Sequence, residues 1–91
     1  MKNKTEIVFD LYNNEIGVLG DWLSDSKVVV KIGEFENVCI ISGNKEGLLS
    51  LAQHLVSLAQ DGAPKGSHFH FDEFNGLEKG SIELIFDKLD D

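Results

Sequence analysis

The sequence predicts an α+β fold, a mostly antiparallel sheet of about five to six strands with one long amphipathic helix on one face, in the order β-β-β-β-α-β-β. Three observations carry this reading. Apolar residues alternate with period two before residue 43 and again after residue 66. Between them lies a single stretch of period about 3.6. Turn-forming residues separate the alternating runs in pairs, as hairpins require.

From Glu6 to Tyr12, Ile7, Phe9 and Leu11 alternate with Glu6, Val8, Asp10 and Tyr12, the pattern of a strand with one buried face. Asn13-Asn14 supplies residues that tolerate positive φ, so a two-residue hairpin into Glu15 to Leu19 is expected. Gly20 to Asp25 then forms a polar connection in which Trp22 is expected to plug the core. A second hairpin is expected from Lys27–Ile32 and Asn37–Ser42, whose β-branched residues flank the turn Gly33-Glu34-Phe35-Glu36. Cys39, inside the apolar run Val38-Cys39-Ile40-Ile41, is expected to be a small buried hydrophobe.

Asn44 has the chemistry of a helix N-cap, with Glu46 in the first turn where the helix dipole favours an anion. Leu48, Leu51, Ala52, Leu55, Leu58 and Ala59 form one apolar stripe and Gln53, Ser57 and Gln60 the opposite side, so the stripe should dock on the sheet. Gly62 offers a left-handed C-cap and Pro64 follows it. Ser67 to Phe71 and Ser81 to Lys88, joined by residues 72–80, complete the sheet.

Ninety-one residues bound the chain to one domain, residues 1–91, with enough apolar content for a core. One cysteine excludes an intrachain disulfide framework. The apolar run near the N-terminus is broken by Asp10 and Asn13, which does not make a signal peptide, and no run approaches a membrane span. A cytoplasmic protein without membrane association is expected.

Sixteen acids face eight lysines and no arginine, a net charge of −8. Affinity for a polyanion comes largely from cations that displace its counterions, so nucleic acid is not an expected partner. Residues 46–91 hold nine of the acids and three of the lysines. Such a field keeps a protein soluble and also attracts cationic partners.

The densest chemistry lies in Ser67-His68-Phe69-His70-Phe71-Asp72, where alternation places His68, His70 and Asp72 on one face and the two phenylalanines on the other. Two imidazoles and a carboxylate are a reasonable zinc or iron set. Residues i and i+4 of a strand stand about 13 Å apart, however, so His68 and His70 with a third ligand elsewhere make the more realistic metal site. His54, beside the helix stripe, is the remaining histidine. Ser67 and His68 diverge on a strand and Ser42 and Ser81 lack a nucleophile-elbow context, so no catalytic residue is expected. Ser42-Gly43-Asn44 fits helix capping better than an anion cradle. Asp72, Glu73, Glu78, Glu83 and Asp87, with Phe74 at a loop tip, suit a binding face for a basic protein.

Gly43-Asn44-Lys45-Glu46-Gly47-Leu48 opening a Leu/Ala helix, then His68-Phe69-His70-Phe71-Asp72, Leu77, and Gly80-Ser81-Ile82-Glu83-Leu84-Ile85-Phe86 together resemble the immunity protein 32 family of bacterial polymorphic toxin systems. The resemblance covers Ile40 to Lys88, and residues 6–25 match nothing comparable. It implies a small α+β protein, encoded beside a toxin, that protects its producer by binding that toxin; no enzyme activity and no cofactor are expected. It places His68, His70, Asp72 and Glu83 at the polar positions of the motif. With the charge distribution, this gives a toxin-facing set of His68, His70, Asp72, Glu73, Phe74, Glu83 and Asp87, and a basic nuclease is the partner that the charge suits. Two other readings stand beside it: a small His-based metal-binding protein or metal-dependent enzyme using His68 and His70, and a module that pairs an exposed strand edge with a second copy to form a homodimer.

Overall fold

In a computed structural model that describes residues 1–35 and 37–90, the chain folds as α+β with one helix and two small antiparallel sheets. Strands β1 (Val28–Ile32) and β2 (Cys39–Gly43) pair in a register that sets Val28 opposite Gly43, Val30 opposite Ile41 and Ile32 opposite Cys39. Helix α1 (Lys45–Ala59) follows, then β3 (His68–Phe71) and β4 (Leu84–Asp87), which pair in turn. Both later hairpins of the sequence reading are present, although Glu36 of the first turn lies outside the described residues. The chain leading into β4 runs beside β1: Glu78 N donates to Val28 O and Ile82 N to Val30 O, and these bonds stitch the two sheets together.

The expected five to six strands are four among the described residues, because the predicted hairpin of residues 6–19 builds no ladder. A chain reversal does occur there, as a three-residue turn closed by the Asn13–Gly17 bridge with Gly17 at φ +91°, in place of a two-residue Asn-Asn turn. The backbone of this half finds its partners on the helix instead. Gln60 Oε1 accepts from Tyr12 N at 2.6 Å and its Nε2 donates to Asp10 O; Ser57 Oγ donates to Leu19 O; Gln53 Oε1 accepts from Asp21 N; Ser50 Oγ accepts from Leu23 N. Residues at positions 50, 53, 57 and 60 share one helix face, so α1 acts as a polar rail for an extended strap.

This rail rotates the helix away from the expected orientation. The face turned inward is Gly47, Ser50, Leu51, His54, Ser57 and Leu58, while Leu48 and Leu55 of the predicted stripe remain about half exposed (50% and 48%). Small residues allow the close approach: a Cβ on Gly47 would collide with Lys27 O and Val28. Asn44 is the predicted N-cap, its Oδ1 accepting from Gly47 N at 2.7 Å and from Lys27 N, its Nδ2 donating to Asp25 O. The helix ends differently from expectation, since Gln60 leaves in an extended conformation and Gly62 does not take up positive φ. Lys88 Nζ binds at this end, donating to Gln60 O at the C-cap and to Ala63 O beyond it at 2.7 Å each, while Gln60 Nε2 donates to Ser57 O.

The core joins Val28, Val30, Leu51, Phe71 and Leu77, with Trp22, Phe69, Leu84 and Phe86 packed around them. Trp22 plugs this core as expected, at 5.1 Å from Phe71 and 4.9 Å from His54 between ring centroids. Cys39 does not: it is an exposed free thiol at the far end of the edge strand β2 from Gly43, where Leu48 of the helix packs.

Candidate functional site

The β3–β4 ribbon separates the chemistry of the sequence by side-chain parity. Phe69 and Phe71 lie opposite Phe86 and Leu84 and point toward the helix, where Phe71 meets Phe86 edge-on at 5.4 Å. The other parity, His68, His70, Ile85 and Asp87, is exposed, with His68 directly opposite Asp87 and His70 opposite Ile85. Glu83, just before β4, reaches across to His70, its Oε2 lying 3.4 Å from Nε2. His68 Nδ1 lies 3.1 Å from Gly66 O, which as a carbonyl accepts, so that nitrogen carries the proton. The surface is therefore a ribbon of two imidazoles and two carboxylates around one isoleucine. Ile85 belongs to this surface although the predicted set omits it, and the alternation Glu83-x-Ile85-x-Asp87 is the signal that places it there.

At the end of β3 the chain makes a tight turn that spends two of the predicted residues on architecture. Asp72 exchanges backbone hydrogen bonds with Asn75, its carbonyl also accepts from Leu77 N, and its Oδ1 accepts from Phe74 N at 2.9 Å. Glu73 Oε2 accepts from Gly80 N. The two apolar residues of the turn part ways: Leu77 enters the core, and Phe74 stands 91% exposed at the tip. Asn75 Nδ2 donates to His70 O, covering an outward carbonyl on the free edge of β3.

His54 is on the helix-facing side of the sheet, 4.8 Å from Phe69 and 4.9 Å from Phe71, so it is separated from His68 and His70 by the ribbon itself. It is 2% exposed, and Nδ1 lies 2.7 Å from Ser50 O. Burial holds its pKa below the usual imidazole value, against the opposing pull of the Ser50 hydrogen bond and of Asp21. Among the described residues, no group of three or more His, Cys, Asp and Glu side chains converges as a metal-binding set.

What the fold and this ribbon define is a small α+β protein that displays an acidic, imidazole-bearing surface on a rigid hairpin. The chain belongs to the immunity protein 32 family, whose description matches residues 39–89, from β2 through the end of the β3–β4 ribbon. Immunity protein families are generally non-enzymatic, and membership implies a toxin as partner. Neither a curated protein nor a solved structure matches the chain. Among the described residues no helix is long and apolar enough to cross a membrane.

Proposed function

We propose that this protein neutralises a cognate bacterial toxin by stoichiometric binding in the cytoplasm of the cell that makes both, with the outer face of β3–β4 and the adjoining turn as the toxin-facing surface. The observation that supports the location is the arrangement of His68, His70, Glu83 and Asp87 on one exposed face of the ribbon, whose connecting turn carries the exposed ring of Phe74. An exposed aromatic next to carboxylates suits a partner that brings cations and an apolar pocket. Of the lysines in residues 46–91, Lys88 directs its ammonium to Gln60 O and Ala63 O at the end of the helix.

The partner this field suits is a basic protein such as a nuclease, whose cationic groups meet phosphates in its substrate and would meet Glu83, Asp87 and Glu73 here. Asp72 contributes by setting the turn that presents Phe74. The whole chain, residues 1–91, acts as one binding unit, since the Trp22 segment supports the turn from behind. Co-expression with the toxin encoded beside it tests this reading. Growth is rescued by the natural sequence, and rescue without a stable complex of the two proteins would reject binding as the mode of protection.

A further inference from the structure

The two outer edges of the stitched sheets are treated differently by the sequence. On β3, Asn75 caps the outward carbonyl of His70. On β2, nothing comparable occurs. Gly33 N donates to Val38 O and Asn44 N to Lys27 O, which fixes the alternation of the β1–β2 ladder. Ile40 and Ser42 direct their backbone groups inward to β1, so Cys39, Ile41 and Gly43 direct theirs outward. Among the described residues none bonds to that outward row.

Natural sheets blunt such an edge with lysine, proline, a bulge or a cover. From Val38 to Asn44 this chain has no charged residue and no proline. Val38, Cys39, Ile40 and Ile41 are all exposed, Ile40 on the face away from the helix and Ile41 on the same face as Val28 and Val30. Leu48 of the helix, packed on Gly43, adds a further exposed apolar group beside this strand.

We propose that β2 pairs antiparallel with β2 of a second copy of this chain, about a two-fold axis through Ile40. In that register Cys39 lies opposite Ile41 of the second copy and Ile41 opposite its Cys39, so each outward N–H and C=O of these residues finds a partner. Ile40 meets its own counterpart in the close, non-hydrogen-bonded position, and Val38 meets Ser42. An antiparallel pair related in this way keeps both helices on one side of the joined sheet, which brings Ile41 and Leu48 of both copies toward the seam.

The choice of a second copy rests on self-complementarity. A protein carrying −8 charges repels itself over most of its surface, yet here two copies meet with no carboxylate on the pairing strands. The nearest strand charge, Lys31 on β1, is one strand inward, so the two lysines stand roughly 14 Å apart at a spacing of about 4.8 Å per strand, beyond the screening length of physiological salt. A basic toxin would find no carboxylate along this edge. The pairing therefore goes beyond the toxin-binding reading and uses a different part of the surface.

Sedimentation of the untagged 91-residue protein over a range of micromolar concentrations tests it. The expected mass is twice that of one 10.1 kDa chain at the upper end. Ile40→Lys places two ammonium groups at the axis and should weaken self-association about 100-fold or more, with an unchanged circular dichroism spectrum. For the register, a Cys39→Ser/Ile40→Cys protein should form a disulfide-linked dimer on mild oxidation, since facing Cα atoms in such a pair lie about 4.5 Å apart, within disulfide range. Cys39→Ser/Ser42→Cys, with its thiols far apart in this register, should remain uncrosslinked. A monomer at every concentration, a dimer indifferent to Ile40→Lys, or equal crosslinking of the two cysteine variants would each overturn the proposal. Toxin protection by a monomeric protein would leave the binding function standing while sinking this one.

Discussion

The indole of Trp22 lies directly on the backbone of Gly76, so close that a Cβ at residue 76 would overlap the ring. This contact joins the N-terminal half, which the family description does not reach, to the turn that presents Phe74. Gly76 also sits at φ +89°, a conformation that side chains rarely adopt. Gly76→Ala combines backbone strain with steric overlap at a core ring, and a loss of about 2–4 kcal/mol in urea unfolding is the expected outcome. Gly80→Ala, equally at positive φ but with open space around it, should cost about 1–2 kcal/mol. Equal losses at the two glycines would show that Trp22 contributes nothing at this contact.

His54 predicts how stability follows pH. Ser50 O can only accept, so the neutral imidazole carries its proton on Nδ1, and protonating Nε2 would put a charge between Trp22, Phe69 and Phe71. With the folded pKa lowered, the unfolded chain binds the proton more readily. The stabilisation is complete above the unfolded value of about 6.5 and is lost as pH falls through it toward the lower folded value, at up to about 1.4 kcal/mol per pH unit. His54→Phe keeps an aromatic ring there and removes the titration. Urea midpoints between pH 7.5 and 5.5 should then decline less in the variant than in the natural protein.

The polar rail of the helix predicts a local effect. Gln60 holds Tyr12 N and Asp10 O through one side-chain amide, and Ser57 holds Leu19 O. Gln60→Ala should speed amide exchange of Tyr12 and proteolysis within residues 8–19, while global stability falls by only about 1 kcal/mol. Ser57→Ala reaches a fully buried hydroxyl and should cost about 1–3 kcal/mol. Protease resistance of the strap in the Gln60 variant would mean that apolar contacts, such as those of Ile7 and Phe9, hold it instead.

These same residues show where the sequence was readable. Local chemistry sufficed for the Asn44 cap, the two hairpins after residue 27 and the outward parity of His68 and His70, since each depends on neighbours a few residues away. The strap was not readable because Glu6 to Tyr12 alternates as a strand does, and only tertiary context decides whether its backbone bonds to a strand or to glutamines 45 to 50 residues distant. The helix orientation failed for a related reason. Apolar count favours Leu48 and Leu55, but Gly47 lets the chain approach closely, Ser50 accepts from Leu23 N and Ser57 donates to Leu19 O. Cys39 looked buried from composition, and its strand's position at the edge made it exposed.

Charge on the ribbon makes the last prediction, about the rate of toxin capture. Glu83 and Asp87 lie on the face of β3–β4 turned away from the core, so their charge can be reversed with little structural cost, unlike Asp72, whose carboxylate holds the turn. If this face steers a basic toxin, Glu83→Lys/Asp87→Lys should slow association about tenfold or more at low salt and flatten its dependence on ionic strength. Asp21→Lys/Asp25→Lys makes the same change in net charge on the connection before β1, and should have a smaller effect. Phe74→Ala, which removes an exposed ring without altering charge, should instead raise the dissociation rate. Stopped-flow association and dissociation measurements at two salt concentrations separate these outcomes. Equal slowing by both charge reversals would reduce the ribbon to one contributor to a diffuse field and move the toxin-facing surface elsewhere.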